Sequence, residues 1–207
     1  MITQLTILFI LLFSTVGLFY MGRARTPQFR DSLRRVRPNS IASLEQVSLG
    51  DLKQFILIRG RNRTHPLLLF LHGGPGMPAM YLAHRFQKRL EDHFVVVHWD
   101  RRGAGKSYNK DIPLETMNVE QMIADTCELI RYLKRCFDQE KIYLVGHSWG
   151  TYLGMLVVHR HPELFYAYVG IGQLTGKGHD SQEITEIQDR FIRQCALETN
   201  KQEALRN

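Results

Sequence analysis

A serine sits at the centre of Gly146-His147-Ser148-Trp149-Gly150, directly after the largely apolar run Lys141-Ile142-Tyr143-Leu144-Val145. Gly-x-Ser-x-Gly carries chemistry when a strand precedes it and a helix follows. The turn between them is then so tight that only small residues fit on either side of the serine. The hydroxyl stands at the tip of a sheet, over the positive end of the helix. Held there, it is poised for nucleophilic attack on an acyl carbon, provided that a base takes its proton.

Two upstream segments fit the same chemistry. His72-Gly73-Gly74-Pro75-Gly76 follows the strand-like run Pro66–Leu71. A glycine-rich loop after a buried strand lets backbone N–H groups turn toward a ligand at no steric cost. Its amides would form one half of an oxyanion hole, and the N–H of Trp149 the other. Taken alone, the segment also reads as a plain Gly/Pro turn. The second segment is Asp100-Arg101-Arg102-Gly103-Ala104-Gly105-Lys106-Ser107, after Phe94–Trp99. Gly105-Lys106-Ser107 invites a phosphate-loop reading, but that motif needs glycine where this chain has Asp100. A structural loop pinned by Asp100 and Arg102 is the better account.

These three motifs, in this order, resemble the α/β-hydrolase family, and within it the proline iminopeptidase-like branch. The resemblance covers residues 41–175. It implies hydrolysis of a small amide or ester at an N-terminal residue. It assigns Ser148 as nucleophile and Gly74 and Trp149 as oxyanion donors, with Gly73 the alternative to Gly74 and His72 organising the loop. One departure stands out. The branch usually has glutamine where this chain has Arg101, which bears on the substrate more than on the fold.

The base and acid that complete such a site are harder to find. In this fold they follow the serine in the chain, acid first and histidine last. After Ser148 come only His159, His161 and His179. The first two lie at the far end of the serine's own helix, about 15–20 Å away at 1.5 Å per residue. His179 falls in a loop at the start of a cap-like segment. No base or acid is assigned, and two explanations stay open: a shortened form of a longer enzyme, or a complete protein that lacks the triad.

The elements that must position these residues alternate. Strands are expected at 41–48, 54–58, 67–71, 94–99, 142–145 and 165–171, with Gly50-Asp51 as a hairpin turn. Helices are expected at 79–90, with Met80, Ala83, Phe86 and Leu90 on one face, at 118–137, capped by Asn118, and at 149–160, stopped by His161-Pro162. Gly150 and Gly154, one turn apart, would let the last helix approach the sheet closely. The pattern predicts an α/β fold, a mostly parallel sheet with helices on both faces, and the resemblance implies that it is the N-terminal portion of an α/β-hydrolase.

Composition bounds the rest. The chain has 207 residues and a net charge of +7. Of this, +5 lies between Arg23 and Arg37, which argues against a general nucleic-acid surface. The cluster follows Met1–Gly22, a stretch with no charged side chain. That stretch is expected as a hydrophobic helix, either a membrane anchor or a signal segment. Its bulky far end and its flanking arginines favour an anchor with the domain on the cytoplasmic side, secretion after cleavage being the alternative. The expected organisation is thus anchor or signal 1–22, basic linker 23–40, incomplete hydrolase core 41–173 and start of a helical cap 174–207. Cys127, Cys136 and Cys195 lack metal-type spacing and read as buried apolar residues. No metal or cofactor is expected. The expected partners are a small peptide or ester substrate and a lipid bilayer, reached through residues 1–22 and the arginine cluster. An esterase or lipase-like hydrolase and a non-catalytic, membrane-tethered binding protein remain the alternative functions.

Overall fold

The computed structural model describes residues 26–174. Six strands form one sheet: β1 (Ile41–Leu49), β2 (Leu52–Gly60), β3 (Leu67–Leu71), β4 (Val95–Asp100), β5 (Ile142–His147) and β6 (Phe165–Ile171), in the order β1-β2-β4-β3-β5-β6. β1 and β2 form a hairpin whose two turn residues, Gly50 (φ 51°) and Asp51 (φ 61°), are both left-handed. That conformation matches the natural twist of paired strands. β2 runs antiparallel to β4, and β4, β3, β5 and β6 are mutually parallel. The sheet is therefore mixed but mostly parallel.

The helices are α1 (Ala83–Phe86), α2 (Val119–Phe137) and α3 (Trp149–Arg160). The Asn118 side chain caps α2 by accepting from the Gln121 N–H at 2.9 Å, satisfying one of the donors a helix start leaves unpaired. α2 and α3 share one face of the sheet. Ile123, Ile130, Leu133, Leu153 and Val157 close over Leu69, Val97 and Leu144 in the main core. The opposite face carries two smaller clusters, around Leu57 and around Val96. Among the described residues it is covered by the short helical segment near residues 80–92 and by residues 26–29, so the expected helices on both faces are unevenly realised.

That segment is the main departure from expectation. In place of one helix over 79–90 there is a 3-10 turn (Met80–Leu82), the single turn α1, and a second 3-10 turn (Leu90–Asp92). Phe86, expected on the apolar face, is 71% exposed. Buried polar anchors hold the segment at separate points. The Gln87 amide oxygen meets the buried ring of His98, and Glu91 pairs with buried Arg59 at 2.7 Å.

Residues 26–40, expected as part of the basic linker, pack on this domain. Arg59 Nη1 donates to Thr26 Oγ1 and to the Pro27 carbonyl, both at 2.6 Å. Phe29 is buried beneath the Arg59 guanidinium. Cys127 is buried as expected, whereas Cys136, on the outer side of α2, is exposed. His98 is buried within β4. The N-terminal hydrophobic stretch, the cap-like segment from residue 175 onward, His179 and Cys195 lie outside the described residues. Among the described residues no helix is long and apolar enough to cross a membrane, and no cluster of His, Cys, Asp and Glu could hold a metal ion.

Candidate active site

β5 ends at His147 and α3 begins at Trp149, so a single residue makes the turn between them. That residue, Ser148, has φ 52° and ψ −122°. A non-glycine residue held there costs on the order of 1–3 kcal/mol and persists only where its surroundings enforce it. The enforcement is visible. The Ser148 N–H donates to the Ile171 carbonyl of β6 at 2.9 Å, and the Ser148 carbonyl accepts from both the N–H and the hydroxyl of Thr151.

The two flanking glycines are steric necessities. A Cβ on Gly146 would lie 2.6 Å from the Gly150 carbonyl oxygen. A Cβ on Gly150 would lie 2.2 Å from the Leu71 carbonyl oxygen and 2.7 Å from that of His72. Gly150 thus brings the start of α3 against the end of β3. Gly154, one turn later, packs on the Tyr168 ring. Both close approaches were expected from the spacing of the glycines.

The same packing brings the His72–Gly76 loop to the serine. A Cβ on Gly73 would sit 3.1 Å from the Ser148 Cβ. Gly73 is buried in this contact, while Gly74 is exposed, with φ 114°. Of the two glycines proposed for the oxyanion loop, Gly73 is therefore the one in direct contact with Ser148. Trp149 opens α3, and its N–H has no acceptor within the helix. Ser148, Trp149, His72, Gly73 and Gly74 are all drawn to one end of the sheet, where β3 and β5 run side by side.

His72 is held behind the loop, 1% exposed. Its Nδ1 lies 2.8 Å from the Gly73 carbonyl oxygen and its Nε2 lies 3.4 Å from the Arg101 N–H. Arg101 Nη2, a donor, stands 3.0 Å from the same Nδ1, so the Gly73 carbonyl and the guanidinium call for opposite tautomers of the ring. Burial, reinforced by the Arg101 charge, pulls its pKa down to about 4. Burial likewise pulls His98 down to about 3. Neither ring is free to serve Ser148. His159 and His161 lie at the far end of α3, where His161 pairs with Glu163. Among the described residues no histidine hydrogen-bonds the Ser148 hydroxyl.

The loop after β4 is pinned as expected. Asp100 accepts from the Lys106 N–H at 2.8 Å, and Arg102 forms a fully buried ion pair with Asp125 of α2. Burial raises the Asp100 pKa. Asp125 also accepts from Gln54 and Gln121, and Gln54 accepts from the Trp99 indole. What the sequence did not signal is the placement of Arg101. Its side chain is buried beneath the His72–Gly76 loop, and its only positional marker is its place directly after the last residue of β4. A separate apolar cleft of about 420 Å³ lies against β1 and β2, lined by Leu44, Leu57, Met80 and Tyr81. Ser148 does not line it.

Comparison with known proteins agrees with this geometry. Residues 66–195 match the family model for the α/β hydrolase fold. The chain is 43% identical over 154 residues to the Bacillus subtilis protein named "Probable aminopeptidase YbaC", a match covering 72% of this chain and 48% of that protein. It is 31% identical over 166 residues to epoxide hydrolase 4 of Mus musculus, covering 74% of this chain and 43% of that one. Among solved structures it resembles a proline iminopeptidase-related protein from Thermus thermophilus, with a TM-score of 0.54, 27% identity, and coverage of 63% and 44% of the two chains. The chain spans about half the length of the curated relatives it matches.

Proposed function

The chain belongs to the α/β-hydrolase fold family, and from that premise we propose that it is a serine hydrolase of proline iminopeptidase type, releasing an N-terminal residue, often proline, from small peptides. Ser148 Oγ attacks the acyl carbon, and the developing oxyanion takes hydrogen bonds from the Trp149 N–H and a loop amide. Gly74 is the proposed loop donor and Gly73 its alternative. The amine departs with the proton given up by the Ser148 hydroxyl and leaves an acyl ester on Ser148, which water then cleaves to the free acid, restoring the hydroxyl. The observation that carries this reading is the strained Ser148 backbone, clamped between Gly146 and Gly150 with Gly73 against its side chain. The aminopeptidase-named relative supports the amide substrate over the ester of an esterase-like hydrolase.

A second reading rests on a different observation, the absence of a histidine at the Ser148 hydroxyl among the described residues. Without a base the same residues would bind a substrate and not turn it over. A fluorophosphonate probe separates the two. Labelling of Ser148 in the 207-residue chain, abolished by Ser148→Ala, is the outcome expected of the hydrolase. Silence favours the binding protein.

Attachment to a bilayer through residues 1–22 and the Arg23–Arg37 cluster, with the domain cytoplasmic, belongs to the same proposal. The uncharged stretch beside a run of arginines supports it. The full chain should float with anionic vesicles, and a chain lacking residues 1–22 should not. Equal flotation of both would refute it.

A further inference from the structure

The loops after β4, β3 and β5 meet because those strands are neighbours, and one side chain joins them. Arg101, immediately beyond β4, is 1% exposed. Its Nη2 shares two hydrogens among three carbonyls of the loop after β3, His72 at 2.7 Å, Pro75 at 2.9 Å and Gly73 at 3.3 Å, and lies 3.0 Å from the His72 Nδ1. Its Cζ lies 5.0 Å from the centroid of the Trp149 ring, the residue after Ser148. A cation at that distance from an indole ring is attracted by its π system.

The charge itself needs an explanation. Among the described residues no ion pair involves Arg101, and its Nε and Nη1 are buried with no hydrogen-bond partner. Burial draws its pKa down to about 9, which still leaves the guanidinium charged at neutral pH. Burying an unpaired charge is costly. A neutral amide would tether a loop carbonyl without that cost. A cation is suited to two further tasks: holding an electron-rich ring, and facing a place where negative charge develops.

We propose that Arg101 is a positioning residue that clamps the Gly73-Gly74 loop on one side and the Trp149 indole on the other, setting the two halves of the oxyanion site at a fixed separation with a positive charge behind them. The catalytic consequence rests on Ser148 acting as the nucleophile; the clamp itself does not. Arg101 makes no hydrogen bond to Ser148, so its effect passes through the loop and the ring.

The test uses the full chain carrying 5-fluorotryptophan. Its two tryptophans, Trp99 and Trp149, give two fluorine resonances, assigned with Trp149→Phe. Loss of a hydrogen-bonded charge is worth enough to raise local exchange about tenfold or more. In Arg101→Gln, amide hydrogen exchange at Met77, whose N–H donates to the Gly73 carbonyl across the loop, should accelerate by that factor while β3, β5 and α2 keep their protection. The Trp149 resonance should move and the Trp99 resonance should not. Arg101→Lys should return the Trp149 resonance toward its original position without slowing the loop, since an ammonium restores the charge but not the planar fork. If Arg101→Gln does not fold, Arg101→Lys carries the loop measurement alone.

Unchanged loop exchange would overturn the clamp. So would acceleration spread evenly over the sheet, the mark of a merely structural residue, or an unmoved Trp149 resonance beside a faster loop. Neither readout requires Ser148 to react. A silent fluorophosphonate with both effects intact would count against the hydrolase and leave the clamp standing. Labelled Ser148 with no loop effect would do the reverse.

Discussion

Replacing Gly150 with alanine is the sharpest probe of the turn that carries Ser148. The added Cβ would stand 2.2 Å from the Leu71 carbonyl oxygen and 2.7 Å from that of His72. Both are backbone atoms at the end of β3, so no flexible side chain can yield. Reaching an ordinary contact of 3.4 Å requires α3 and β3 to separate by about 1.2 Å. Overpacking of this kind costs about 1–3 kcal/mol. Alanine is the better helix former by up to about 1 kcal/mol, which offsets part of the cost. The net loss should be about 1–2 kcal/mol, a fall in Tm of about 2–8 °C for a domain of this size. The shift also carries Trp149 away from the His72–Gly76 loop. Misplacement on the order of 1 Å costs roughly a hundredfold in rate where geometry is catalytic, so labelling of Ser148 should slow to that degree. Thermal unfolding followed by circular dichroism gives the first number, and timed fluorophosphonate labelling the second. Gly76→Ala is the control, because its Cβ would meet nothing within 4 Å. Equal or higher Tm for Gly150→Ala would refute the close approach of α3 to β3, since the propensity gain would then stand alone.

Other expectations follow from the buried charges and rings. His98 and His72 are held neutral, with pKa values near 3 and 4 against an ordinary 6.5. The unfolded chain takes up these protons as pH falls through about 6.5 and the folded chain does not, so stability is fully present above that value and declines below it, until about pH 4 for His72 and about pH 3 for His98. Each ring contributes a slope of about 1.4 kcal/mol per pH unit in its window. Urea unfolding between pH 4.5 and 6 should show that slope reduced by about one such share in His98→Gln, and an unchanged slope would refute the burial argument. Asp125→Ala leaves the Arg102 guanidinium buried and unpaired, with an expected loss of about 3–5 kcal/mol in chemical unfolding. Arg102→Met combined with Asp125→Leu should recover much of it. A single variant as stable as the double would show the ion pair to be idle.

Much of the site is legible in the sequence because its instructions are local. Glycines on either side of Ser148, a glycine pair after an apolar run, Asn118 before α2 and Pro162 after α3 each act on the residues beside them. The α3 and β6 bounds and the Gly50-Asp51 hairpin come out as read for the same reason. Periodicity failed at residues 79–90, where Gln87 and Glu91 answer to His98 and Arg59, partners that no helical repeat encodes. The burial of Phe29 under Arg59 was hidden likewise, since the two lie on separate elements. Arg102, Asp125 and Gln54 form one buried network, yet 71 residues separate Gln54 from Asp125.

That a serine would be raised on a sharp strand-to-helix bend was written in the chain itself, because glycine at 146 and 150 removes the side chains that would forbid so tight a turn. The sequence did not determine what the bend would face. Only the placing of β3 between β4 and β5 carries Gly73 to Ser148 and sets Arg101 under the loop and against Trp149. That order is decided by which apolar faces close over one another, a property of the whole core and of no single segment.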